Sequence, residues 1–247
     1  MKNVFLIKSF GKEQKKENHI IFICDHATNL IPKELNSLGL ESKFLKSHIA
    51  FDIGAMNLSI NLASKLKQTC FLSNFSRLVI DPNRDLTDSS LIPPSSFGIN
   101  IPGNININSK EKSFRINNFY KPYHSELFSL VKQKMHKFKK IFLISIHSFT
   151  QKFIGFDRGY EVGLLWNKNM NLLIPIQRNL TRRKIHFGRN YPYSGFHFNF
   201  TIDHINKFFN LDNISIEVRN DLLCSQKGIK NYVDIFSNIF KGLLNDR

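Results

Sequence analysis

Three apolar runs in the sequence each stop on a residue able to hold a metal ion or move a proton. Ile20-Ile21-Phe22-Ile23-Cys24 ends at Asp25-His26, Ile141-Phe142-Leu143-Ile144-Ser145-Ile146 at His147, and Ile214-Ser215-Ile216 at Glu217. Neutral imidazole suits zinc, and catalytic zinc sites take three protein ligands and leave a position open for water, so His26 and His147 are candidate ligands. The third ligand is either Asp52, in His48-Ile49-Ala50-Phe51-Asp52, or Asn29, three residues past His26. Asp25 reads as a group that orients a histidine from behind, or as a helix cap. Glu217 is placed to take a proton from an activated water and return it to a leaving amine; the alternative is an ion pair with Arg219 or another cation. Arg77, Arg84 and Arg219 stand near strand ends, where one or two could fix a substrate carboxylate and another could steady an oxyanion. Cys24 fits a buried strand position better than a nucleophile, and Ser148 and Ser194 lack the glycine-flanked elbow that a serine nucleophile needs.

Residues arranged in this way require a sheet beneath them. Short continuous apolar runs suit buried parallel strands, and open α/β sheets carry their ligand sites at the carboxyl ends of such strands. Residues 32–40 predict a short helix with Pro32 near its start and Gly39 near its end. Ala55, Leu58, Leu62, Ala63 and Leu66 recur at helical spacing, followed by strand candidates at Cys70-Phe71-Leu72 and Arg77-Leu78-Val79-Ile80. Residues 81–115 have no period, and a loop of that length inside a compact domain is usually functional. Helical spacing resumes at Tyr123, Leu127, Leu130, Val131 and Phe138, ahead of the run that ends at His147. A strand over 162–166 and a helix through Leu172, Leu173, Ile176 and Leu180 come next. Phe196, Phe198, Phe200 and Ile202 alternate with polar residues, predicting a half-exposed strand or an extended flap, and Ile229, Val233, Phe236, Phe240 and Leu244 mark a final amphipathic helix. The fold expected is one α/β domain over residues 1–247, with a mixed, mostly parallel sheet flanked by helices.

Composition agrees with an enzyme of that size. The chain has 247 residues, of which 42% are hydrophobic, enough for one sizeable core. No apolar stretch approaches a membrane span and the first residues lack a signal-peptide core, so a soluble, cytoplasmic protein without a membrane partner is expected. Cys24, Cys70 and Cys224 are too few and too far apart for a disulfide framework or a structural zinc knot. The net charge of +16 invites a nucleic-acid reading. Against it, Lys8, Lys12, Lys15, Lys16, the stretch 132–140 and Arg182-Arg183-Lys184 are scattered, and 24 Phe beside many Lys, Asn and Ile point to a skewed codon composition. A solvated basic surface is favoured over a nucleic-acid partner, and such a field also suits a small anionic substrate.

The order of motifs resembles that of the N-formylglutamate amidohydrolase family. The resemblance rests on Cys24-Asp25-His26-Ala27-Thr28-Asn29, His48-Ile49-Ala50-Phe51-Asp52-Ile53-Gly54-Ala55, Ser76-Arg77-Leu78-Val79-Ile80-Asp81-Pro82-Asn83-Arg84, Tyr123-His124, Ser145-Ile146-His147-Ser148-Phe149-Thr150, Tyr191-Pro192-Tyr193-Ser194-Gly195 and Glu217-Val218-Arg219-Asn220-Asp221-Leu222. That family is similar in fold to zinc carboxypeptidases and to aminoacylases of the aspartoacylase type. The resemblance implies one Zn2+ per chain on His26 and His147, Glu217 as catalytic carboxylate, and Asn83-Arg84 as the pair that grips a substrate carboxylate. Arg77 or Arg219 would help the oxyanion. Residues 191–195, with Tyr193 and Ser194 as substrate-binding candidates, and the loop 81–115 would form walls or lids. The implied substrate is a small anionic N-acyl amino acid, N-formyl-L-glutamate above all. The alternatives are a related amidase or peptidase on another anionic amide, or a basic nucleic-acid-binding protein on a hydrolase fold. The chain departs from the usual pattern at several places. Carboxypeptidase-like sites carry Glu where Asn29 stands, which leaves the third ligand open between Asn29 and Asp52. Phe51 replaces a common Trp, Gln151 a Pro, and Gly159-Tyr160 a Pro-Trp pair, changes that bear on the substrate pocket.

Overall fold

The computed structural model describes residues 3–11, 18–153 and 155–245; Lys12, Lys15 and Lys16 of the scattered basic residues lie outside them. Seven strands form one sheet: β1 (Phe5–Ser9), β2 (Asn18–Cys24), β3 (Thr69–Ser73), β4 (Lys140–Phe149), β5 (Val162–Leu165), β6 (Phe187–Arg189) and β7 (Asp212–Arg219). Their spatial order is β1-β3-β2-β4-β7-β5-β6. The four central strands β3, β2, β4 and β7 run parallel, while β1 joins β3 and β5 joins β7 antiparallel.

Alternation along the strands divides the core into two layers. Ile20, Phe22, Ile144, Ile146, Ile214 and Ile216 face a layer built on α1 (Ala55–Leu66), α3 (Leu173–Arg182) and α5 (Gln226–Asn245). Ile21, Ile23, Ile141 and Leu143 face the other layer, where Tyr123, Leu127 and Val131 of α2 (Lys121–Met135) and Ile202 and Ile205 of α4 (Phe200–Phe209) pack. The period of two then carries Asp25, Ser145, His147 and Glu217 to the α2 and α4 side at the carboxyl ends of β2, β4 and β7, with Glu217 directly opposite His147 in the ladder.

Several local expectations fail for identifiable reasons. Residues 32–40 do not make a regular helix. Lys33–Gly39 is two 3-10 turns broken by left-handed backbone at Asn36, Ser37 and Leu38, because buried Leu38 is pressed against Gly103, where a Cβ would meet its backbone. Arg77-Leu78-Val79-Ile80 is a turn and not a strand. Ser76 Oγ accepts from the Leu78 N–H and donates to the Ala50 carbonyl, taking the place of ladder partners. Phe196, Phe198, Phe200 and Ile202 lie on two helices, Gly195–Phe198 and α4, despite their strand-like alternation. The Ser194 side chain caps the first at Phe196 N, and Asn83 ties the junction, accepting from Thr201 N at 2.9 Å and donating to Phe198 O at 2.8 Å. β1 was not legible as a strand because it is a half-exposed edge.

The aperiodic stretch 81–115 is held from behind. It contains a small hairpin, Ser95–Ser96 with Ile99–Asn100, a 3-10 turn at Pro102–Asn104, and a helix Ser109–Arg115 capped by the Asn108 side chain. Arg115, fully buried, donates to Val79 O, Asn104 Oδ1, Gly103 O and Glu111 Oε1. His124 Nε2 donates to Pro82 O at 3.0 Å, and Thr201 Oγ1 donates to the same carbonyl.

Two predictions follow from these anchors. Arg115→Met keeps the volume but strips several buried carbonyls of their donor, so urea unfolding is expected to show a loss on the order of 2–4 kcal/mol; a change near zero would contradict the anchoring role. For His124, burial lowers the imidazole from 6.5 to about 4. The unfolded chain therefore takes up the extra proton first, and the contribution of His124 to stability is full above about pH 6.5 and is lost as pH falls toward 4. The urea midpoint of His124→Asn should fall less steeply than that of the wild type across this window; equal slopes would refute the buried neutral histidine.

Candidate active site

Each element end delivers one donor to a common point. His26 stands two residues past the end of β2 and His147 lies in β4. Asp52 sits in the turn before α1, fixed there by its N–H donating to His26 O at 2.9 Å. His26 Nδ1 and His147 Nδ1 lie 3.3 and 2.9 Å from the same oxygen, Asp52 Oδ2. Ligand-capable atoms of the three residues fall within 4.8 Å of one another, and all three side chains are buried.

The opposite nitrogen of each ring is already engaged. His26 Nε2 meets Asp81 Oδ1 at 2.8 Å, and His147 Nε2 meets Ser145 Oγ at 2.9 Å and Asp25 Oδ2 at 3.4 Å. Tyr123 donates to Asp25 Oδ1 at 2.7 Å, completing this second layer. Carboxylates only accept, so Asp81 and Asp25 draw a proton onto each Nε2, and Asp52 Oδ2 accepts from Nδ1–H where a ring is protonated. Against the effect of burial, its bonds to Asp25 and Asp52 hold the His147 imidazole well above its usual value. A cation bound between the rings would take the place of a proton on Nδ1, and two imidazoles with one carboxylate form a donor set that suits zinc.

The buried acids are driven in opposite directions. Burial alone would raise the Asp52 carboxyl, but the Arg77 guanidinium bonded to it and the two imidazoles hold it well below the usual carboxylate range. Asp25 and Asp81 are likewise lowered by their histidines against the effect of burial. Glu217 has no such partner, and burial pushes it up to about 7, with Asp52 adding to the rise and His147 and Arg77 opposing it. Its Oε2 is buried without a hydrogen-bond partner. A carboxyl group that titrates near neutrality is matched to proton transfer in both directions.

A cleft of about 310 Å3 opens over this group, lined by His26, Asp52, His147, Glu217 and Arg77 at its base and by Asn83, Arg84, Tyr193, Phe97, Phe153 and Phe198 on its walls. Its size suits an amino-acid derivative. Three residues singled out in the sequence lie elsewhere. Asn29 donates its amide to Leu45 O at 2.8 Å and is not part of the His-Asp-His group. Arg219 pairs with Asp221 at 2.8 Å and does not line the cleft, and Ser194 is spent on its helix cap. Asn83 lines the cleft, but both ends of its amide are taken by Thr201 and Phe198.

Sequence reasoning gave no role to Asp81, Tyr123 or Ser145, although all three lie in the quoted motifs; what identifies them is contact with one of the two histidines or with Asp25. Gly163 of β5 is a further omission. A Cβ there would collide with the Tyr191 carbonyl and approach Glu217 Cβ to 3.1 Å, so the absent side chain lets the Tyr193 wall close over the site.

Among the described residues no helix is long and apolar enough to cross a membrane. No curated protein sequence matches the chain. The crystal structure of a gene product from Agrobacterium tumefaciens is similar to it at 27% identity with a TM-score of 0.89, covering 97% of this chain and 94% of that one. An N-formylglutamate amidohydrolase from Ralstonia eutropha shares the fold at 17% identity and a TM-score of 0.64, covering 97% and 96%. The profile of one family, N-formylglutamate amidohydrolase, matches residues 18–224. The mixed sheet, the cleft at its strand ends and this match over most of the sequence lead to one conclusion: the chain belongs to the N-formylglutamate amidohydrolase family and is an amide-cleaving hydrolase.

Proposed function

We propose that the protein, acting as one catalytic domain over residues 1–247, is a zinc-dependent amidohydrolase that removes the N-formyl group from an acidic amino acid such as N-formyl-L-glutamate. The observation that carries this reading is the convergence of His26 Nδ1, His147 Nδ1 and Asp52 Oδ2 beside the unpartnered carboxyl of Glu217. His26, His147 and Asp52 would hold one Zn2+, which when bound acidifies water and polarises an amide carbonyl. Glu217 takes a proton from the attacking water and returns it to the amine nitrogen as the C–N bond breaks. Arg77, which lines the cleft with its Nη2 bonded to Asp52, supplies the donor for the developing oxyanion. Arg84 binds the substrate carboxylate. Its guanidinium stacks over Phe198 at 4.9 Å, and among the described residues its one ion-pair partner is Asp88, 3.9 Å away. Asn83 supports that arginine by clamping Phe198 in place.

Formate release from N-formyl-L-glutamate by zinc-loaded protein, beside a chelator-treated sample, tests the reading. Chelator-sensitive turnover is expected, and a fully metallated protein without turnover would discard this substrate. His26→Ala should lose the metal, whereas Glu217→Gln should keep it and lose about 10²–10⁴-fold in kcat. Full activity in either variant would remove the role given to that residue.

A further inference from the structure

One imidazole in the cleft is bonded to nothing. His48 is 8% exposed and lines the cavity beside Asp52, Arg77 and Phe97, outside the His26-Asp52-His147 group. Among the described residues neither of its ring nitrogens makes a hydrogen bond. Nδ1 is sealed from solvent and faces Asp52 Oδ1 at 3.8 Å, too far for a bond. Nε2 is not among the sealed atoms that lack a partner, so this nitrogen reaches the open cavity that the ring lines. Phe97 packs across the imidazole at 81° with 5.8 Å between ring centres and restrains its turning. A side chain more than nine-tenths buried thus presents one unsatisfied polar atom to the place where a substrate enters.

The surroundings decide what that atom offers. Asp52 turns Oδ2 to the Nδ1 atoms of His26 and His147, while its Oδ1 accepts from Arg77 and faces His48. Next to the guanidinium a second positive charge is unfavourable, so the His48 ring is neutral and carries one hydrogen. A carboxylate oxygen only accepts, which places this hydrogen on Nδ1 and leaves the lone pair on Nε2. The cleft therefore meets an acceptor. The anion of a small N-acyl amino acid carries acceptors at its carboxylates and its carbonyl, and its amide N–H is the only donor it has. Carbonyl and N–H point in opposite directions across a trans amide, so a carbonyl turned to the base of the cleft sends the N–H back toward its wall.

We propose that His48 positions the substrate by accepting, at Nε2, a hydrogen bond from the N–H of the scissile amide. The inference rests on the amidohydrolase reading for its choice of ligand. Held in this way, the nitrogen keeps its hydrogen on His48, and the lone pair that develops as water adds to the carbonyl turns away from that ring, free for the proton that Glu217 returns. The contact also selects amides. An ester sets an oxygen lone pair against Nε2 where the amide sets a hydrogen.

The test is binding, not turnover, in the zinc-loaded full chain carrying Glu217→Gln so that the ligands stay intact. N-Formyl-L-glutamate and the formate ester of (S)-2-hydroxyglutarate differ by N–H against O, and titration calorimetry gives their affinity ratio. A preference for the amide of about tenfold or more is expected, since the ester loses a hydrogen bond and leaves a polar atom unpaired. Adding His48→Phe, which keeps a ring without its nitrogens, should cut the preference several-fold with zinc content unchanged. His48→Ala should do the same and keeps the test decisive if the Phe variant does not fold. A role in packing alone would weaken both ligands alike and leave the ratio where it was. Equal affinities with His48 in place, binding of neither ligand, an undiminished preference in either folded variant, or loss of zinc would overturn the inference. Formate release by the unsubstituted protein would still support the activity in that case, whereas a preference that depends on His48 in a protein releasing no formate would sink the activity and leave the contact.

Discussion

The structure depends on the far sides of two imidazole rings being held in place. Because Asp81 engages Nε2 of His26 and the Ser145–Asp25 pair engages Nε2 of His147, both rings turn Nδ1 toward Asp52. The sheet supplies the spacing. Adjacent parallel strands β2 and β4 end side by side, and the pleat sends Asp25, Ser145 and His147 to the same face. α2 contributes Tyr123 to hold Asp25, and the loop after Ile80 contributes Asp81. Loss of any of these partners would free a ring to flip and disperse the donors.

The same arrangement sorts the acids by role. Asp25, Asp52 and Asp81 are each bound to a cation or an imidazole and remain ionised, fixing the site. Glu217 shares their burial without their partners, and its carboxyl is pushed up to about 7. Separation of acidities by environment lets one small cavity hold permanent anions for structure and one reversible carboxyl for proton transfer. The arginines divide similarly. Arg77 is tied to the donor group through Asp52, whereas Arg84, with Asp88 3.9 Å away, lines the wall of the cleft.

The strands that carry the donors were readable in the sequence because burial on both faces leaves an uninterrupted apolar run, as in Asn18–Cys24, and because such a run ending in His or Glu marks a strand end. Less was readable where side chains replace the ladder. Leu78-Val79-Ile80 is as apolar as a strand, but Ser76 bonds the backbone locally and bends it. The alternation from Phe196 to Ile202 imitates a strand, yet the Ser194 cap and the Asn83 clamp impose helix. The choice between Asn29 and Asp52 depended on which side chain turns inward, a tertiary fact that spacing does not encode. Asn83, matched by the family motif to carboxylate binding, has both ends of its amide committed to the fold.

The central claim, that the converging donors hold a metal, is tested most directly by an anomalous difference map from zinc-soaked crystals recorded at the zinc edge. The account predicts one peak at about 2.0–2.2 Å from His26 Nδ1, His147 Nδ1 and Asp52 Oδ2. A peak held through Asn29, or none between the two histidines at full zinc loading, would contradict it.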